Sequence, residues 1–161
     1  MPAFLKLGDI KGASTDSGHQ DWIRIDSMSA PVMRSIPQGA KDQQRARGET
    51  TIGDIVIVKQ VDKATTKLVE ATANGKFIPE AQIDFCTTIN GKQEPYLTYK
   101  LKNVIVTSYS FHGQGTGDTL PTDEITLGYT DVEWNYVVLD PNTGANKGNV
   151  PAKYSLGQSK S

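Results

Sequence analysis

Apolar and polar side chains alternate along much of this chain, which is the pattern of strands that bury one face. The clearest case lies near the C-terminal end, where Val132, Trp134 and Tyr136 fall on one face and Glu133 and Asn135 on the other. Similar runs, rich in β-branched and aromatic residues, recur between glycine or polar segments. They predict strands at residues 4–7, 22–29, 51–61, 81–89, 96–101, 104–112, 124–129 and 132–139.

One stretch, at residues 63–74, has helical spacing instead. We expect Thr65 to cap its start and Gly75 to end it in the left-handed conformation. A single short helix among so many strands indicates a mostly β protein, an antiparallel β-barrel or sandwich that the helix plugs or flanks. The apolar helix face is formed by Ala64, Leu68 and Ala71.

Two polar segments interrupt this regular pattern. Residues 34–50 contain a run too long and too charged for a hairpin turn, so we expect a projecting polar loop. Beyond residue 140 the chain is rich in turn residues, and residues 152–156 could pair as a short edge strand. The end from about residue 157 is expected to be loosely ordered. The charged residues between residues 37 and 50 of the loop are Lys41, Asp42, Arg45, Arg47 and Glu49.

Length and charge limit the functional classes. A chain of 161 residues fits one domain, residues 1–161, with enough apolar sequence for a core. With 17 basic and 18 acidic residues the net charge is −1, so no overall field attracts nucleic acid or anionic lipid. No stretch approaches the roughly 20 apolar residues of a membrane span. The start lacks the features of a cleaved signal peptide, so we expect synthesis in the cytoplasm and export, if any, by another route.

Residues capable of chemistry are scarce. His19 in a polar loop and His112 beside glycines lack the spacing of a metal site, and surface roles are favoured for both. Cys86, the single cysteine, lies in a strand pattern and is expected to be a buried packing residue. Four aspartates near the start do not have the spacing of a calcium loop, and we expect solvated carboxylates. They are Asp9, Asp16, Asp21 and Asp26.

Two further motifs contain residue types that occur in catalytic sites. The glycine-rich segment 113–117 lacks the Lys-Ser/Thr of a phosphate-binding loop and precedes a strand, so a flexible turn is favoured. Asp123 and Glu124 could form an acidic pair for hydrolysis, but neighbours in a strand point to opposite faces. The sequence therefore predicts no enzyme, with no catalytic, metal-binding or cofactor-binding residues.

Four blocks of the sequence, spread over nearly the whole chain, share one pattern of residues with a known family. The blocks are residues 4–16 with His19, residues 61–79, residues 92–108 and residues 113–136. They resemble the haemolysin-coregulated protein (Hcp) family of bacterial type VI secretion. The resemblance implies a β-barrel with one lateral α-helix, assembled as a homohexameric ring with a central channel. It implies also that rings stack into the inner tube of an injection machine, carry effector proteins in the lumen, contact spike and sheath components, and are themselves secreted.

The resemblance also assigns roles to individual residues. Ser29 matches the family position that faces the channel and contacts cargo, although Met28 and Ala30 replace the aromatic neighbours common in relatives. The loop residues Lys41, Asp42, Arg45 and Arg47 match a segment that takes part in ring stacking.

A ring is also consistent with simple physics, because a barrel with exposed strand edges and a second apolar face can join its neighbour head to tail. The run at residues 55–58 is apolar on both faces, and it supplies the predicted interface together with the helix face. An alternative is a solitary secreted β-module that binds carbohydrate or a protein surface through Trp22, Trp134 and Tyr136. The predicted ring-interface residues are Ile55, Ile57, Ala64, Leu68 and Ala71.

Overall fold

The computed structural model describes residues 1–36, 38–39 and 49–156. These residues form antiparallel strands and one helix, α1, at Thr65–Asn74. The strands are β1 Ala3–Leu7, β2 Ile23–Ile25, β3 Ser27–Ser29, β4 Val32–Arg34, β5 Thr50–Ile52, β6 Ile55–Gln60, β7 Phe77–Ile89, β8 Lys92–His112, β9 Thr122–Gly128, β10 Asp131–Leu139 and β11 Asn146–Ser155.

Nine of the strands belong to one sheet, in which seven follow the order β2-β1-β7-β8-β9-β6-β3 and the other two branch from it, because β10 pairs with β8 and β11 pairs with β10. The long strand β8 pairs with β7 along one edge, and along the other edge it pairs first with β10 and then with β9. The two ends of the path, β2 and β3, are separated only by Asp26, whose backbone N–H donates to the carbonyl of Val58 at 2.8 Å. The sheet therefore curls round on itself, and the predicted mostly β, antiparallel, barrel-like fold with one helix is confirmed.

The helix closes over the core of this curled sheet. Leu68 and Ala71 are buried, and Gly75 ends the helix at a φ of 63°, as predicted. The predicted cap at Thr65 is wrong: Ala64 occupies the cap position, and the Asp62 carboxylate accepts its N–H at 2.9 Å. Thr65 is already helical, and its hydroxyl is used by the interior.

The strand boundaries differ from the prediction at several points. The predicted strand 22–29 is divided at Asp26, and the predicted strand 51–61 is divided at residues 53–54. Two predicted strands, 96–101 and 104–112, are parts of the single strand β8, which continues through Asn103 at a φ of 56°. The predicted edge strand 152–156 is the end of the longer β11. Most of the predicted loop 34–50 and all of residues 157–161 lie outside the described residues.

Candidate functional site: the Ser29 face

Ser29 lies on β3 and is exposed, on the side of the sheet that points away from the core. Antiparallel register places it opposite Val56, which is opposite Thr126, which in turn is opposite Ser108. Directly opposed residues share a face, so these four side chains form one row across four strands. A second row runs beside it and shares this face. It consists of Ser27, Val58, Glu124 and Ser110.

The two rows, called the Ser29 face below, consist of small side chains with one charge, that of Glu124. In the row that contains Ser29, the Ser108 hydroxyl donates to Thr126 Oγ1 at 2.7 Å, which fixes the positions of these two side chains. Valine and short hydroxyl side chains offer little apolar area and no charged anchor, so a protein surface could touch this face without being held tightly.

The same strands bury their alternate side chains, which explains why the Ser29 face is left outside. Ile55 and Ile57 are fully buried, as are Ile125 and Leu127 on β9. Met28, between the two serines of β3, packs against this core. The alternation of β6 and β9 therefore separates an apolar inner face from the outer Ser29 face.

The five residues predicted for the ring interface belong to the core of the chain itself. Each has an exposed fraction of 0–2%. They are packed against β1, β7 and β8 side chains within one hydrophobic cluster, so they offer no surface to a neighbouring subunit. Their assignment to an interface is therefore corrected: the apolar helix face and the inward residues of β6 fill the barrel. They are Ile55, Ile57, Ala64, Leu68 and Ala71.

A buried ion pair lies directly behind the Ser29 face, and the sequence analysis did not find it. Lys59 and Asp123 are opposite each other in β6 and β9, and both are fully buried. The Lys59 ammonium lies 2.9 Å from Asp123 Oδ1 and 3.0 Å from Asp62 Oδ1. The alternation of β6 places Lys59 on the same inward face as Ile55 and Ile57. This alternation was the sequence signal that could have predicted a buried lysine.

Hydroxyl groups complete this ion-pair cluster. Thr65 Oγ1 and the Tyr109 hydroxyl both donate to Asp123 Oδ2, at 2.8 and 3.1 Å. Burial, and then the charge and hydrogen bond of Asp123, raise the pKa of Tyr109 to about 12. The cluster therefore joins β6, β8, β9 and the start of α1 through one connected network of hydrogen bonds and ion pairs.

A second buried polar cluster surrounds His19, which was predicted to have a surface role. The prediction is wrong, because His19 has an exposed fraction of 2%. Its Nδ1 lies 2.7 Å from Asp16 Oδ2, and its Nε2 lies 2.8 Å from Asp84 Oδ2. The ring also stacks on Phe4, with centroids 4.4 Å apart. Asp16 is therefore a structural partner as well, and the cluster fastens the loop before β2 onto β1 and β7.

Cys86 lies beside this second cluster, with Sγ 3.9 Å from His19 Nε2. It is fully buried, as predicted for a packing residue. Burial, followed by the negative charges of Asp84, Asp16 and Glu94, raises the pKa of the thiol to about 12. The thiolate needed for nucleophilic chemistry is therefore disfavoured at neutral pH.

The other predicted groups do not converge on a pocket. Asp123 is buried while Glu124 belongs to the outer Ser29 face, so the two carboxylates point to opposite faces as predicted. Trp134 shares the buried side of β10 with Val132, whereas Trp22 packs edge-on to His19. The proposed aromatic platform is therefore not assembled. Lys41, Asp42, Arg45 and Arg47 lie outside the described residues.

A shallow groove of about 740 Å³ lies along β1, β7, β8, β10 and β11. Four lysines along it alternate with carboxylates, so the groove has no field of a single sign. Among the residues that the structure describes, no group of three or more potential metal ligands occurs. Nor does that part of the chain contain a helix long and apolar enough to span a bilayer.

Comparison with known proteins identifies the class. A family model described as the type VI secretion system effector Hcp matches residues 4–136. A solved structure of a type six secretion system protein superimposes with a TM-score of 0.87 at 27% identity, covering 99% of this chain and 98% of that one. Hcp1 of Salmonella typhimurium superimposes with a TM-score of 0.75 at 25% identity, covering 99% and 96%. The fold is thus that of a secreted, β-rich component of type VI secretion.

The sequence relationship gives the family directly. Protein hcp1 of Pseudomonas aeruginosa is 32% identical over 151 residues, which cover 94% of this chain and 91% of that protein. The chain belongs to the Hcp family.

Proposed function

We propose that this protein is a structural subunit of the type VI secretion inner tube, in which six copies form a ring and the Ser29 face lines the channel. The observation that carries the proposal is the Ser29 face itself. Eight small or weakly interacting side chains cover four adjacent strands, and the matching family position of Ser29 faces the lumen. A conduit must release its cargo, and many weak contacts hold a passing protein without trapping it.

Two open strand edges support closure into a ring. Pairing between β7 and β8 stops at Phe77 and Ile105, so residues 106–112 of β8 have β9 on one side and no strand of the described residues on the other. On the far side of the same four strands, β6 is the one strand among the described residues that pairs with β3. Open edges on opposite sides of one sheet suit a head-to-tail contact between copies, and such contacts close into rings.

The remaining roles follow from this assembly. Rings would stack, through a loop that includes Lys41, Asp42, Arg45 and Arg47, into a tube that meets the sheath and the spike. Effector proteins would travel in the lumen and be held there loosely by groups such as Ser29. The subunit would be made in the cytoplasm and exported by the machine, as a structural carrier that catalyses no reaction.

Cysteine labelling tests whether the Ser29 face is enclosed. In Ser29→Cys the new thiol should react readily with a small maleimide but slowly with a large polymer-linked maleimide, because the channel restricts access. Ser17→Cys is the matched control, since Ser17 is exposed on the loop fastened by His19. It should react equally with both reagents. Equal reaction of Ser29→Cys with the large reagent, in particles of ring mass, would contradict the proposal.

A further inference from the structure

The Ser29 face carries a negative charge that no neighbouring group offsets. Glu124 is partly exposed on β9, with Val58 opposite it on one side and Ser110 on the other. Neither of these neighbours carries a charge. Among the residues that the structure describes, no ammonium or guanidinium lies within ion-pair distance of the Glu124 carboxylate. This carboxylate is therefore available to a molecule that approaches the face.

A second carboxylate lies at the edge of the same face. Asp54 is exposed just before β6, and its Oδ2 accepts the Thr107 hydroxyl at 3.0 Å. On β9 the outward positions after Glu124 are Thr126 and Gly128. A Cβ atom at Gly128 would lie 3.6 Å from Asp54 Oδ1. The Asp54 carboxylate therefore sits beside the outer side of β9 and adds a second negative charge there.

Exposed positive charge is absent from the strand segments that form this face. The described segments contain one lysine, Lys59, and no arginine. Lys59 points inward and is fully buried, with its ammonium paired to Asp123 and Asp62. The whole chain has 17 basic and 18 acidic residues, so the imbalance belongs to this face and not to the composition. The segments are β3, β6, β9 and residues 106–112 of β8.

We propose that the Ser29 face selects protein cargo with a basic surface, and that Glu124 sets this preference. The inference rests on the proposed ring and deepens it, because it gives the class of molecule that the channel accepts. A ring would repeat Glu124 and Asp54 in every subunit around one channel. A cleft lined by one sign of charge focuses its field and raises the local concentration of molecules with the opposite charge.

Attraction of this kind is compatible with release of the cargo. One exposed ion pair changes an affinity by no more than about fivefold, and salt screens it. Repetition around a ring lets several such weak contacts act together. The valine and serine neighbours of Glu124 add no strong anchor. Basic cargo is thus concentrated in the channel without being trapped, whereas an acidic surface is repelled.

Peptide binding tests the charge preference. Labelled oligolysine and oligoglutamate peptides of equal length are the probes, and fluorescence anisotropy measures their binding to purified rings at low salt. The pH is about 8, where imidazole is neutral, because His112 shares this side of β8. We expect wild-type rings to bind oligolysine, with an affinity that falls as salt rises, and not to bind oligoglutamate. Equal binding of the two peptides would overturn the inference.

Two matched variants assign the preference to one residue. Glu124→Gln keeps the shape of the side chain and removes its charge, so it should weaken oligolysine binding by roughly fivefold or more. Glu133→Gln is the control, because Glu133 is exposed on β10, away from the Ser29 face. It should bind oligolysine as the wild type does. Equal losses in the two variants, or no loss in Glu124→Gln, would overturn the inference.

Protection from labelling locates the bound peptide. Oligolysine should slow the reaction of Ser29→Cys with a small maleimide and leave the reaction of Ser17→Cys unchanged. Cys86 is buried in both variants and gives an unreactive background. An unchanged rate for Ser29→Cys at saturating oligolysine would place the peptide elsewhere and overturn the inference.

The native mass of each sample separates this inference from the proposed function. Rings of six that bind oligolysine equally with Glu124 or with Gln at this position would overturn the charge preference and leave the ring standing. A wild type that stays a monomer at every concentration would overturn the ring, and the preference with it.

Discussion

The four strands that carry Ser29 have two unlike faces. The outer face holds serine, threonine and valine side chains with few contacts, whereas the inner face holds buried isoleucines and leucine and the fully buried pair Lys59 and Asp123. Folding energy is therefore concentrated on one side of the sheet. We therefore expect residues of the outer face to tolerate substitution without loss of the fold.

Removal of the buried ammonium should have the largest effect. Lys59→Ala leaves the carboxylate of Asp123 buried without its cation and removes a partner of Asp62. Breaking one side of a buried pair costs about 3–5 kcal/mol, so we expect a loss of this size in the free energy of unfolding by urea.

The exposed Lys67 provides the control for this experiment. Its ammonium lies 3.8 Å from Glu70 at the surface, so Lys67→Ala should change stability by no more than about 0.5 kcal/mol. The pair Lys59→Met with Asp123→Leu should recover part of the loss from Lys59→Ala, because an apolar pair has no unpaired charge. Equal losses for Lys59→Ala and Lys67→Ala would show that the buried cluster contributes nothing.

The helix gives a second comparison between inner and outer positions. Leu68 is fully buried and Val69, the next residue, is 42% exposed. Leu68→Ala should cost about 2–5 kcal/mol through lost burial and the cavity left in the core. Val69→Ala should stay within about 0.5 kcal/mol in the same urea titration. A larger loss of stability for Val69→Ala than for Leu68→Ala would contradict the assignment of Leu68 to the buried face of the helix.

Alkaline pH should weaken the inner face selectively. The pKa of Tyr109 is raised from 10.0 to about 12, so the unfolded chain releases this proton first as the pH rises. The contribution of Tyr109 to stability is present below pH 10 and is lost as the pH rises toward 12. Tyr109→Phe should therefore show a smaller loss of stability over this range than the wild type. The assignment to Tyr109 would be contradicted if urea titrations between pH 9 and pH 11 gave the same decrease in the free energy of unfolding for the wild type and for Tyr109→Phe.

Substitution on the outer face should have the smallest effect. Ser29→Ala removes an exposed hydroxyl for which no hydrogen bond is found among the described residues, so stability should change by less than about 0.5 kcal/mol. Ser108→Ala is a second variant of the outer face, and it differs from Ser29→Ala because the Ser108 hydroxyl donates a hydrogen bond to Thr126. A loss above 2 kcal/mol for Ser29→Ala would mean that the outer face also holds the fold.

Periodicity along the chain was sufficient to predict the β class, the helix and the inward phase of β10, but not the inward phase of β6, whose Ile55 and Ile57 were assigned to a subunit interface. It could not find the buried cluster, because lysine is normally exposed and the partner Asp123 lies 64 positions away in sequence. Only the register of β6 against β9 brings the two together. The same inward phase also explains the error over the ring interface, because residues apolar enough for an interface are equally suited to a core.

His19 shows a related limit of sequence reasoning. Its loop is polar, which is typical of a surface loop. Its Nε2 nevertheless lies within hydrogen-bond distance of Asp84 on β7, 65 positions away, and its ring stacks on Phe4. The short strand β4 was missed for a different reason, since three residues beside a proline give too little alternation to detect.

We propose that copies of this chain form a ring around the Ser29 face. Light scattering over a range of concentrations, with negative-stain images of the same samples, measures the assembly in solution. We expect a native mass of six subunits and annular particles with an open centre. A mass of one subunit at every concentration, with no annular particles, would contradict it.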